Sequence, residues 1–181
     1  MKTINLWPLD GIGEETLDFL RSELTRSLPF EVRTMRLYLE MSSFYDPERR
    51  QYNSTALLGH LRQHHLRVIE KTESMLLVVP YDLYIPPLTF VFGEAELGGR
   101  LAVVSTCRLE NERYGLRPDS ELLANRIVKE SMHEIGHMVG LTHCFEPHCA
   151  MRASTSVEEI DLKGDRYCTS CRALFPSTTP V

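Results

Sequence analysis

His133-Glu134-Ile135-Gly136-His137-Met138-Val139-Gly140-Leu141-Thr142-His143 is the stretch that decides how this chain is read. On a helix, His133 and His137 are one turn apart and leave the same face. Their axial offset of roughly 6 Å suits two imidazoles converging on one Zn²⁺. Glu134 is rotated by about 100° from His133, beside the metal position rather than on it. A general base is needed there. Gly140 can adopt positive φ, so the helix can end and turn back. That turn would bring His143 in as a third ligand and leave a fourth position for water.

The rest of the chain is read outward from this stretch. Upstream, Leu123, Ile127, Met132, Ile135 and Val139 give the helix a buried side, and Asp119 or Ser120, after Pro118, is its expected start. Leu101 to Ser105 and Thr89 to Gly93 read as strands, reversed at Gly98-Gly99. Met75 to Val79 is apolar on both faces and reads as a central strand. Leu57, Leu58, Leu61 and Leu66 form a helical face capped by Asn53 or Ser54. Phe30, Val32, Met35, Leu37 and Leu39 suggest a strand, Leu17 to Leu28 a helix, and Thr3 to Trp7 a first strand. Residues 46–54 and 81–87 read as loops. The order βαβα, then ββ, then the histidine helix predicts an α/β fold, a mixed sheet covered by helices.

Downstream of Gly140 the composition changes. Residues 141–181 hold four of the five cysteines and few apolar runs. Cys144 and Cys149 form one close pair, and Cys168 and Cys171 another. Four thiolates in this spacing can close a tetrahedral Zn²⁺ site with no place for water, a structural role. It would clamp both the segment carrying His143 and the segment carrying Met151. Ser156 with Glu159 reads as a capping box for a short helix from Val157 to Lys163.

Composition sets bounds. A chain of 181 residues with 43% apolar and 25% charged residues suits a single globular domain. A net charge of −5 argues against a general nucleic-acid binder. No apolar run approaches the roughly 20 residues that span a bilayer. The start, Met1 to Pro8, lacks the apolar core of a signal peptide. A cytoplasmic setting is expected, where reduced thiols serve as metal ligands before disulfides.

His133-Glu134-x-x-His137-x-x-Gly140-x-x-His143-Cys144, then Cys149-Ala150-Met151 and Cys168-x-x-Cys171, resemble the archaemetzincins, a branch of the metzincin zinc metallopeptidases. Thr89-Phe90-Val91-Phe92-Gly93-Glu94-Ala95 is similar to that family's strand ahead of the active-site helix. The gap from Met151 to Cys168 is slightly shorter than the family's usual one, in a surface excursion. The resemblance implies a metzincin-like fold: a mostly parallel twisted sheet with an antiparallel edge strand, helices packed on it, and a cleft between residues 1–140 and a small C-terminal subdomain, 141–181. It implies a Met-turn at Met151 beneath the catalytic zinc, and a substrate peptide lying along Thr89 to Glu94.

The expected reaction is peptide-bond hydrolysis by a zinc-bound water that Glu134 activates, with two Zn²⁺ per chain, one catalytic and one structural. The expected partners are peptides or proteins, without nucleic acid or membrane, and the chain is expected to act as a monomer. One alternative is a non-catalytic zinc scaffold that recognises peptides or a protein partner; a retained Glu134 argues against it. Another is a zinc-ribbon nucleic-acid module carrying Arg152, Lys163, Arg166 and Arg172, opposed by Glu146, Glu158, Glu159, Asp161 and Asp165. Among the remaining candidates, His60, His64 and His65 read as a solvated face, His148 as exposed, Cys107 as a buried small residue, and Tyr81, Tyr84 and Tyr114 as packing residues.

Overall fold

A computed structural model describes residues 3–36 and 38–175. Leu37 of the second expected strand, the first two residues of the N-terminal reading and the tail 176–181 lie outside the described residues. In chain order the elements are β1 (Thr3–Pro8), α1 (Glu14–Ser27), β2 (Glu31–Thr34), β3 (Tyr45–Asp46), β4 (Gln51–Asn53), α2 (Ser54–His64), β5 (Glu73–Val79), β6 (Leu83–Tyr84), β7 (Gly93–Ala95), β8 (Leu101–Ser105), α3 (Ser120–Met138), α4 (Val157–Leu162) and α5 (Thr169–Ala173).

The main sheet has the order β2-β1-β5-β8-β7. Its first four strands are mutually parallel, and β7 runs antiparallel to β8 at one edge. This is the mixed sheet expected from the element order, mostly parallel with an antiparallel edge strand as the archaemetzincin resemblance implies. Strand β5 is central, and its side chains enter two cores. Leu76 and Val78 join Ile4, Leu6, Ala102 and Val104 against α1 and α3. Met75, Leu77 and Val79 join Trp7, Leu101 and Val103 against α2. A strand covered on both faces reads as a continuous apolar run.

Helix α3 crosses the first of these faces through Ile127, Met132 and Ile135. Asp119 caps it, its carboxylate accepting from the Leu122 N–H at 2.9 Å. Arg126, near its start, is 4% exposed and holds Asp161 of α4 with two 2.7 Å bonds. Its other nitrogen bonds the Leu109 carbonyl and Asn111. This clamp fixes the C-terminal residues against the helix.

The structure differs from the sequence reading in five places. Strand β2 stops at Thr34, so Met35 and Leu39 lie in irregular chain. The edge strand is Gly93–Ala95 rather than Thr89–Gly93; of residues 89–92 only Val91 makes a bridge, to Leu83. Phe90 and Phe92 are apolar because they line a cleft or the core, which imitates a strand pattern. The stretches read as loops hold β3, β4 and β6, which form a separate three-stranded sheet. Short α5 was not foreseen. The capping box sits one residue early: Glu159 accepts from Thr155 N and Oγ1, while Ser156 makes no side-chain cap bond.

Candidate active site

Helix α3 ends in a Schellman turn. Gly140 adopts φ +97°, its N–H bonds the His137 carbonyl, and the Leu141 N–H bonds the Gly136 carbonyl. The chain thereby reverses, and His143 comes back beside the helix. His133, His137 and His143 each offer one ligand atom, all within 4.8 Å of one another. Their ring centroids are 4.7, 5.2 and 5.1 Å apart.

Two carbonyls decide which nitrogens face inward. His133 Nδ1 lies 2.8 Å from the Ala150 oxygen, and His137 Nδ1 lies 2.8 Å from the Leu141 oxygen. A carbonyl only accepts, so each Nδ1 carries the proton and each Nε2 keeps its lone pair. Those two Nε2 atoms are 3.1 Å apart. Neutral lone pairs facing each other at this distance repel; a cation between them removes the repulsion. Tetrahedral zinc with Zn–N bonds of about 2.0–2.1 Å requires nitrogens roughly 3.3 Å apart. The residues fit the ion.

Cys144, Cys149, Cys168 and Cys171 form the second cluster, again with ligand atoms within 4.8 Å. Cys144 Sγ and Cys168 Sγ are 3.8 Å apart, close to the roughly 3.8 Å that tetrahedral zinc with 2.3 Å Zn–S bonds demands. Leu141, Cys149, Met151 and Cys171 pack together as a small core of their own.

Met151 is fully buried beneath α3. Gly136 is what admits it: a Cβ there would lie 2.1 Å from Met151 Sδ and 3.1 Å from Tyr167 Cε1.

Glu134 is 4% exposed. Burial, above all, pushes its carboxyl well above the usual carboxylate range; Glu130 and Glu94 add to this, and the Lys163 ammonium opposes it. Burial, then Lys163, pulls His133 down to about 2, and burial also lowers His137. Neutral imidazoles beside a surplus of carboxylates are the electrostatic setting a divalent cation completes. Glu134, Glu130, Glu94, the three histidines and Thr142 line a cleft of about 620 Å³.

The comparisons with known proteins agree with this geometry. The profile of peptidase family M54 matches residues 23–176. The archaemetzincin of Methanocaldococcus jannaschii is 37% identical over 168 residues, covering 93% of this chain and 89% of that protein. The archaemetzincin of Archaeoglobus fulgidus is 38% identical over 168 residues, covering 93% and 95%. The chain belongs to peptidase family M54, the archaemetzincins. It is a zinc metallopeptidase, and peptides are its substrate class. The crystal structure of the A. fulgidus archaemetzincin complexed with malonate superposes with a TM-score of 0.78 at 37% identity, over 96% of this chain and 99% of that one. That of a zinc-dependent peptidase from Methanocorpusculum labreanum gives 0.83 at 33% identity, over 94% and 98%.

The far wall of this archaemetzincin's cleft is apolar and braced. Phe90 lies under the Arg108 guanidinium, 4.0 Å from its ring, and Arg108 forms two bonds to Asp82. Arg49 Nη2 donates to the Leu88 and Thr89 carbonyls. Among the described residues no helix is long and apolar enough to cross a membrane.

The other candidates fall elsewhere. His60 is half-buried against Phe44 and His65 packs on Trp7, so only His64 of that trio is a solvated residue. His148 is exposed and Cys107 half-buried, just past β8. Tyr84 is buried and Tyr81 stacks on Tyr52, whereas Tyr114 is exposed, its hydroxyl bonded to the Arg108 carbonyl. The sequence reading missed Glu130, Lys163 and the role of Gly93. Glu130 could have been found, since it lies one turn before Glu134 on the same helical face.

Gly93 of β7 abuts the carboxylate. A Cβ there would lie 2.6 Å from Glu134 Oε1 and 2.8 Å from the Val103 carbonyl oxygen. Gly93→Ala is therefore expected to displace Glu134 and lower kcat/KM by about 100-fold, the scale of a 1 Å misplacement. Steady-state kinetics on a peptide substrate checks this; unchanged kcat/KM would contradict the packing described.

Proposed function

We propose that this archaemetzincin hydrolyses peptide bonds with zinc on His133, His137 and His143 and with Glu134 as general base and acid. The observation that carries the reading is the convergence of two proton-free Nε2 atoms and a third imidazole beside a buried, unpaired carboxylate in one cleft. Zinc held there supplies Lewis acidity and a water of lowered pKa. The chain's own residues do the rest. The Ala150 and Leu141 carbonyls keep the imidazoles in the ligating tautomer. Glu134 takes the proton of the attacking water and returns it to the leaving amine. Phe90, Leu88 and Leu97 give the cleft an apolar wall on which a substrate side chain can pack. Strand β7, at the sheet edge, offers backbone pairing to an extended substrate.

A second zinc on Cys144, Cys149, Cys168 and Cys171 is structural in this reading, with Met151 as the turn beneath the catalytic centre. Residues 1–140 and 141–181 then act as two subdomains of one catalytic domain. Every group named belongs to one chain, which supports a monomer as the working unit. Reduced thiols suit the cytoplasm. A net charge of −5 favours a substrate other than nucleic acid.

Digestion of an unbiased peptide library by zinc-loaded protein tests the reading. Cleavage that stops with a chelator and returns with zinc is expected, with two zincs per chain and one more labile. A loaded protein that cuts no peptide would overturn it.

Removal of the labile metal exposes a pH effect. His133 and His137 have folded pKa values below their ordinary 6.5. Their contribution to stability is full above about 6.5 and falls as pH drops below it. Glu134 has a folded pKa above its ordinary 4.5, so its contribution is full below 4.5 and lost as pH rises. Between these values two histidines outweigh one carboxylate. The stripped protein should gain melting temperature from pH 4.5 to 6.5 in calorimetry; a falling profile would contradict these assignments.

A further inference from the structure

Lys163 follows α4 at the protein surface, yet its side chain is 1% exposed. A lysine at a helix end ordinarily lets its ammonium reach water. Burying one costs several kcal/mol unless partners compensate. Lys163 Nζ lies 2.6 Å from Glu130 Oε1 and donates to the Arg152 carbonyl at 3.3 Å. Glu130 is itself 3% exposed, lines the cleft, and stands one turn before Glu134 on α3.

Arg152 ends a short backbone run that serves both metal clusters. The Ala150 carbonyl accepts from His133 Nδ1. The Met151 carbonyl accepts from the Cys144 N–H at 2.9 Å. The Arg152 carbonyl accepts from Lys163. Lys163 therefore joins the helix that carries His133 to the strip of chain whose carbonyl orients His133. General cohesion of α3 with α4 does not need this link, because Arg126 and Asp161 already provide it with two bonds.

We propose that Lys163, paired with Glu130, is a positioning residue for the histidine metal centre: it holds the Ala150–Arg152 backbone in register with α3 so that His133 presents Nε2. This rests on the reading that the three histidines bind zinc. The alternative is a buried ion pair that only stabilises the fold.

A pair of variants separates the two. Lys163→Met leaves Glu130 buried without its cation, so the single variant should melt at a lower temperature. Lys163→Met/Glu130→Met removes both charges and should recover the melting temperature, as apolar replacement of buried pairs commonly does. Zinc affinity at the histidines is then read by competition with a chromophoric chelator, against wild type under the same conditions. The double variant should bind zinc at the histidines ten- to a hundredfold more weakly than wild type, the usual effect of losing support behind a metal ligand. A double variant that melts like wild type and binds zinc there equally well overturns the proposal alone. A wild type that takes no zinc at the histidines overturns it together with the peptidase reading.

Discussion

Glu134→Gln should reduce kcat by about 10²–10⁴-fold, the contribution usual for a positioned general base, while both zincs stay bound. Glutamine keeps the shape that fits against Gly93 and cannot take a proton from water. The same variant carries a second, opposite effect. Burial and the neighbouring carboxylates raise the pKa of Glu134, so in the folded protein without its labile metal it is a destabilising group above pH 4.5. Gln removes that cost, and the stripped variant should melt above stripped wild type at pH 7. Kinetics, zinc analysis and calorimetry on one preparation check all three outcomes. Full activity in Glu134→Gln would remove the carboxylate from the mechanism.

Cys149→Ser is expected to have the largest effect on the fold. Cys149 is fully buried, its sulfur accepts from the Cys168 N–H, and its neighbour Ala150 bonds the Arg166 carbonyl. A structural zinc in a small domain contributes on the order of 10 kcal/mol. That is comparable to the whole stability of a typical domain, about 5–15 kcal/mol. The region from Leu141 to Phe175 has only a small apolar core of its own to replace it. The variant should lose the tightly held zinc, become open to proteolysis within 141–175, and bind the labile zinc poorly, because the Ala150 carbonyl is no longer fixed behind His133. Measurement of zinc per chain and limited proteolysis check this. Two zincs and a wild-type digestion pattern would show that Cys149 is not needed to hold the second metal, contradicting this account.

The fold and the centre of the site were legible for different reasons. Helical periodicity in Leu17 to Leu24, the two-faced apolar run of β5 and the spacing from His133 to His143 are local patterns, and each became the element it suggested. The short strands β3, β4 and β6 carry no such pattern, since two- and three-residue pairings are made by tertiary contact. Phe90 and Phe92 misled because a cleft wall and a strand ask for the same residues. Lys163 had no signal at all: its burial depends on where α4 docks, which Arg126 and Asp161 determine. Glu130 was legible by helical spacing. The proximity of Gly93 to Glu134 was not, because it needs the register of β7 beside α3.

The most direct test of the central claim is an anomalous difference map at the zinc edge from crystals of the zinc-loaded protein. The account predicts a peak about 2.0–2.1 Å from Nε2 of His133, His137 and His143, with solvent as the fourth neighbour and Glu134 outside the coordination sphere. A peak absent from the histidines, or a protein side chain filling the fourth place, would contradict it.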